Sequence, residues 1–180
     1  MIKIDNLNFS YSKHRILFKN ISMQLSNGHI YGLLGKNGAG KSTLLKNLAG
    51  LVYAQSGKID VLGFDPAKRQ PALLQQICFI PEEFHLPAIK IDSYIKANAP
   101  FYPNFDHQYF ADLLKEFDIP AGQKLIDMSY GQKKKVIISF GLATNDRFIR
   151  GNGTIELSRN GDCNLSTSIF YNRVVVSGTG

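Results

Sequence analysis

One run constrains this chain more than anything else in it. Gly35-Lys36-Asn37-Gly38-Ala39-Gly40-Lys41-Ser42-Thr43 matches the pattern Gly-x4-Gly-Lys-Ser/Thr in full. Its glycines let the backbone bend until consecutive amide N–H groups converge on phosphate oxygens. Lys41 adds a mobile point charge for the β- and γ-phosphates, and the Ser42 hydroxyl adds an oxygen for Mg²⁺. A helix opening there aims the positive end of its dipole at the anion. The pattern needs a buried strand before it and a helix after it. Ile30-Tyr31-Gly32-Leu33-Leu34 is a compact apolar run suited to a buried parallel strand, and Leu44, Leu45 and Leu48 recur at helical spacing up to Gly50.

Around this loop the chain alternates in the manner of an α/β layer. Ile2, Ile4 and Leu7 to Tyr11, then Ile21 to Leu25, read as short strands, and Asn27-Gly28 marks a turn. Gly57 to Val61 reads as another strand and Ile77 to Ile80 as a further buried one. Strand, loop, helix and strand in this order predict a mostly parallel sheet, with an antiparallel part at the N-terminus. From Glu82 to Met128 prolines punctuate short helical pieces, and Tyr109, Phe110, Leu113, Leu114 and Phe117 give the segment from Asp106 a one-sided apolar stripe. This block reads as a small helical insertion. After Asn145 the texture changes: Asp146 to Gly180 is rich in Gly, Asn, Ser and Thr, with strand-like pieces at Thr154 to Leu157 and Ser168 to Val176.

Bulk properties narrow the class. A chain of 180 residues, 44% hydrophobic and 19% charged, can bury one real core. Its apolar runs fall short of the roughly 18 residues a membrane span needs, and no secretory h-region is visible near Lys3, Asp5 and Lys13-His14-Arg15. Cys78 and Cys163 offer neither a disulfide framework nor metal-ligand spacing. A cytoplasmic protein is the expectation. The net charge of +7 is spread along the chain. Its two runs, Lys13-His14-Arg15 and Lys133-Lys134-Lys135, read as solvated faces, so no nucleic-acid partner is expected.

Three further segments stand in a telling order: Phe9-Ser10-Tyr11 before the loop, Ser56 to Gly63 after its helix, and Ser129-Tyr130-Gly131-Gln132 later. By chemistry alone the last is a Ser-x-x-Gln capping box opening a helix from Lys133 to Leu142. Asp60 to Gly63 also fits an Asp-x-x-Gly signature of GTPases, but no Asn-Lys-x-Asp segment accompanies it. Together these segments make the stretch from Ile2 to Asn145 resemble the nucleotide-binding subunit of an ATP-binding-cassette (ABC) transporter. The resemblance implies ATP with Mg²⁺ on Gly35 to Thr43, and Tyr11 stacked on adenine. It implies that Ser129, Tyr130, Gly131 and Gln132 stand for a Leu-Ser-Gly-Gly-Gln motif presented to the nucleotide of a second subunit in a head-to-tail dimer. It also implies separate transmembrane subunits and a peripheral position on the inner face of the cell membrane.

The chain departs from the family in two places. Glu82, in Ile80-Pro81-Glu82-Glu83, stands where the family has a glutamine. A carboxylate ligates Mg²⁺, with Ser42 as the other protein ligand, but cannot donate a hydrogen bond to an attacking water. The family also requires, soon after the signature helix, about four apolar residues ending in Asp-Glu. Here Asp146-Arg147-Phe148-Ile149-Arg150-Gly151 follows, no Asp-Glu pair occurs after Asn145, and His14, His29, His85 and His107 leave no late histidine. The expectation is a chain that binds ATP better than it hydrolyses it, because loss of a positioned general base costs about 10²–10⁴-fold in rate. A missing strand would also leave two sheet strands without a partner.

The predicted organisation is an ATP-binding domain over 1–145, helical from about 82 to 128, and an unrecognised tail over 146–180 from a frameshifted or chimeric gene. Two other functions compete with a transporter subunit. One is a non-hydrolysing nucleotide-binding or regulatory module. The other is a soluble cassette ATPase acting on nucleic acid or ribosomes, which usually carries two cassettes.

Overall fold

The computed structural model describes residues 1–12, 15–27, 29, 31–120, 122–144, 147–150 and 176–179, the last two segments as backbone. Ile2, Ile4, Leu7 and Phe9 are buried along β1 (Ile2–Ser12), with polar residues between them facing out. The step from Ile4 to Leu7 breaks the two-residue period. A register shift there absorbs it, with Asn6 at φ 49°. β1 is the middle strand of an antiparallel sheet, flanked by β2 (Arg15–Leu25) and β4 (Ser56–Val61). Gly57 sits at φ 93° against the bulge, where a Cβ would lie 2.4 Å from the Asn6 carbonyl oxygen. Only glycine fits there. Two expectations shift here. β2 begins at Arg15 rather than Ile21, and β4 joins the antiparallel sheet rather than the parallel one.

The second sheet is parallel, in the order β3-β7-β6-β5, from β3 (Tyr31–Leu34), β7 (Val176–Thr179), β6 (Arg147–Arg150) and β5 (Ile77–Ile80). This α/β arrangement of a parallel sheet, an antiparallel sheet and a helical part is the fold class read from the sequence. One expectation is corrected. β5 and β3 do not lack neighbours, because 147–150 pairs with β5 and 176–179 with β3. Backbone ladders depend little on side-chain identity, so a segment without the expected apolar run can still satisfy the N–H and C=O groups. The strand-like piece at Thr154 to Leu157, and that at Ser168 to Val176 up to residue 175, lie outside the described residues.

β3 departs from the buried strand predicted for it. Tyr31 and Leu33 are half-buried, whereas Leu34 is 76% exposed. β3 ends the sheet order, and among the described residues only its Tyr31/Leu33 face joins the core. β5 is buried as expected.

Three apolar clusters hold these parts. One joins the buried face of β1 and β4 to Leu44, Leu45 and Leu48 of α1 (Lys41–Leu48) and to Ile77. A second fills the helical part: α3 (Ile91–Asn98), α4 (His107–Glu116) and α5 (Tyr130–Ala143) gather Ile91, Phe110, Leu114, Val136 and Phe140. Asp106 caps α4 by accepting from the Tyr109 amide at 2.8 Å, at the start expected from its apolar stripe. The third is a narrow seam of Cys78, Ile80, Leu113, Ile138 and Leu142 between β5 and the helices. Fully burying each such side chain is worth about 1.5–3 kcal/mol. A short helix, α2 (Pro71–Leu74), precedes β5.

Candidate functional site

α1 begins without the side-chain cap that most helices use. Its N-cap is Gly40, at φ 94°, and no acidic residue occupies its first turn. The left-handed conformation favours glycine, and space requires it: a Cβ on Gly40 would fall 2.6 Å from Phe18 Cε1 and 2.8 Å from Leu17 Cγ. β2 is therefore packed directly on the loop. The helix start keeps amide donors free of any side-chain acceptor, which suits an anion.

Lys41 is 7% exposed, yet its partners are neutral. Its ammonium donates to the Gly35 carbonyl at 2.6 Å and the Lys36 carbonyl at 3.2 Å, so the side chain folds back over its own loop. The two ion pairs among the described residues, Lys3–Asp5 and Lys115–Asp112, do not involve it. Burying a cation without a counter-charge is costly. A phosphate oxygen would supply the charge-assisted bond that the protein itself leaves out.

The loop opens on a cleft of about 160 Å³. Asn37, Gly38, Gly40, Lys41, Ser42 and Thr43 line one side, and Tyr11, Arg15 and Leu17 of the β1–β2 hairpin line the other. Gly35 and Ala39 shape the turn instead, the Ala39 amide donating to Lys36 O at 3.1 Å. Tyr11 is 57% exposed, stands edge-on to Phe9, and shares a 2.9 Å hydrogen bond with Thr43 Oγ1. The structure thus brings Tyr11 and the loop together. Sequence reading missed Arg15, which it placed in a solvated basic run. The hairpin register sets Arg15 opposite Ser12, next to Tyr11 and on the same strand face as Leu17. Only that register, interrupted by bulges, would have revealed it.

Glu82 is exposed and lies outside the cleft lining, so Ser42 and Glu82 are not brought together around one cavity. Among the described residues no group of three His, Cys, Asp or Glu could hold a metal ion.

The start of α5 contrasts with that of α1. The Gln132 amide donates to Ser129 Oγ at 3.2 Å and the Ser129 amide donates to Gln132 Oε1 at 3.0 Å, the reciprocal capping box the sequence predicts. Ser129, Tyr130 and Gly131 are exposed. None of them lines the cleft at the loop, so a nucleotide held there would not meet Ser129 of the same chain.

A family profile described as "ABC transporter" matches residues 18–149. ABC transporter ATP-binding protein YtrB of Bacillus subtilis (strain 168) is 29% identical over 150 residues, covering 83% of this chain and 51% of that protein. The chain therefore spans about half the length of that relative. Among solved structures, an ATP-binding subunit of an ABC transporter superposes with a TM-score of 0.79 at 20% identity, over 99% of this chain and 79% of that one. A dimeric ATP-binding cassette in a post-hydrolysis state, bound to ADP and Pi, superposes with a TM-score of 0.76 at 18% identity, over 99% of this chain and 88% of that one. At these identities the likeness establishes the fold.

Proposed function

The chain belongs to the ABC transporter family, and from that premise we propose that it binds ATP·Mg²⁺ at the Gly35–Thr43 loop as the nucleotide-binding part of a transporter. The observation that carries this reading is the buried Lys41 ammonium, held by neutral carbonyls beside a helix start with no side-chain cap. Adenine stacks on Tyr11, the β- and γ-phosphates take the loop amides and Lys41, and Ser42 and Glu82 ligate the magnesium ion. Ser129 to Gln132 then serve the nucleotide of a second cassette, which fits the exposure of Ser129, Tyr130 and Gly131 and their absence from the chain's own cleft lining.

Two kinds of partner follow. The second cassette meets this one head to tail. Transmembrane subunits supply the pathway, and a mainly apolar groove of about 550 Å³ supports a protein partner. It runs from Leu51, Arg69 and Leu74 to Phe79, Phe101 and Tyr102. Phe101 is 68% exposed there, a large apolar ring with no cover. Among the described residues no helix is long and apolar enough to cross a membrane. The peripheral position on the inner face of the cell membrane rests on this reading. The division into 1–145, with a helical part at about 82–128, and a distinct tail at 146–180 is part of the same proposal.

A second reading is favoured by one observation. β6 ends at Arg150, and no Asp-Glu pair occurs in the sequence after Asn145. On this ground we assign the chain slow hydrolysis, or none, and a role as a non-hydrolysing nucleotide-binding module. Equilibrium titration with ATP, with and without magnesium, tests the first reading: no binding at millimolar nucleotide sinks it. Turnover by the purified chain, alone and mixed with an intact cassette, decides the second. A rate within about tenfold of an intact cassette would remove it, since a lost general base costs about 10²–10⁴-fold.

A further inference from the structure

The pairing of β1 with β4 stops short of the end of β1. Its last backbone partners are Asn8 and Ser56, yet β1 runs on to Ser12. Gln55, the residue just before β4, fills the gap. Its backbone amide donates to the Asn8 carbonyl at 3.1 Å. Its side chain then does for Ser10 what a further strand residue would do. Gln55 Oε1 accepts from the Ser10 amide at 2.7 Å, and Gln55 Nε2 donates to the Ser10 carbonyl at 2.7 Å and to Ser10 Oγ at 2.8 Å. One carboxamide thus satisfies both main-chain groups of one residue. The next residue is Tyr11, whose hydroxyl shares a 2.9 Å hydrogen bond with Thr43 Oγ1 and which stands in the wall of the cleft.

We propose that Gln55 is a positioning residue for the base end of the nucleotide site. It clamps β1 at Ser10 and so holds Tyr11 against Thr43, where adenine stacks on the ring. The inference rests on the reading of Gly35–Thr43 and Tyr11 as an ATP site, and deepens it by naming what fixes the ring. Gln55 is exposed and does not line the cleft, so it acts through Ser10 and not on the nucleotide. Tyr11 needs such a hold. It is 57% exposed, and on its other edge β1 meets β2 through a register that shifts on both sides of Ser10. A ring already fixed loses less conformational freedom when a base stacks on it. The phosphates take the loop amides and Lys41, so the clamp serves the base and leaves the phosphate end alone.

Titration with ATP and with tripolyphosphate, each with magnesium, separates the two ends of the site. Gln55→Ala is expected to weaken ATP binding by about three- to tenfold, part of what stacking on one aromatic ring contributes, and to leave tripolyphosphate within about twofold. Gln55→Glu keeps an acceptor for the Ser10 amide but no donor for its carbonyl, and should fall between the two. In a Tyr11→Ala background, Gln55→Ala should cost nothing further. An unchanged ATP affinity in Gln55→Ala would overturn the proposal. So would an equal loss for both ligands, which marks a general structural role, or a loss that persists once Tyr11 is gone. If the natural chain binds neither ligand, or ATP no tighter than tripolyphosphate, the reading of the site falls separately. The clamp is then judged by Tyr11→Trp, a unique fluorophore because the chain contains no tryptophan. Adding Gln55→Ala should lower its fluorescence anisotropy, and an unchanged anisotropy overturns the clamp.

Discussion

The two helix starts that carry the functional reading are built on opposite principles. α1 has a glycine N-cap in the left-handed region, no acid in its first turn, and a buried lysine whose partners are carbonyls. α5 caps itself in both directions through Ser129 and Gln132, and its start, at Ser129, Tyr130 and Gly131, is exposed. A helix start that lacks its own acceptor gains most from an anionic ligand. A self-capped start is stable without one and can wait exposed for a partner. The comparison separates a helix start left open to an anion from one that is already complete.

Removing the charge at the first start should have the largest effect. Lys41→Ala is expected to weaken ATP·Mg²⁺ binding by about tenfold or more, in line with hydrogen bonds to charged groups worth about 1.5–3 kcal/mol. Isothermal titration reads it, and an unchanged affinity would erase the distinction between the two helices. Gly40→Ala comes next. Its Cβ would press on Phe18 and Leu17 at positive φ, so stability should drop by about 1–3 kcal/mol through strain, read as a lower melting midpoint, and binding should fall with it.

The second start should respond in the opposite way. Ser129→Ala is expected to cost about 1 kcal/mol of stability in urea unfolding through the lost cap, while ATP affinity of the isolated chain stays put. A loss of affinity there would mean that Ser129 reaches its own chain's nucleotide after all. The smallest effect is expected from Arg15→Gln, a few-fold loss of ATP affinity at most, because the side chain lines the cleft from an exposed strand end. Comparing ATP with tripolyphosphate would show whether Arg15 serves the base end or the phosphate end.

Much of this was legible locally. Spacing alone located the glycine-rich turn before α1, the stripe of α4 and the box at Ser129, because each is settled by residues within a few positions of one another. What was not legible depends on pairing across the chain. Arg15 reaches the cleft only through a hairpin register with bulges, and Leu34 lies on the face of β3 opposite the one that Tyr31 and Leu33 turn to the core. The contact of Tyr130 with Glu82 spans 48 positions that no periodicity links. The pairing of 176–179 with β3 was unforeseen for the same reason.

The seam between β5 and the helices has a mechanical consequence. Cys78, Ile80, Leu113, Ile138 and Leu142 meet there through apolar surface. Such contact has no preferred direction. Helices can slide against a sheet along a greasy joint in small increments, keeping it dry throughout, whereas a joint of hydrogen bonds would have to break before it moved.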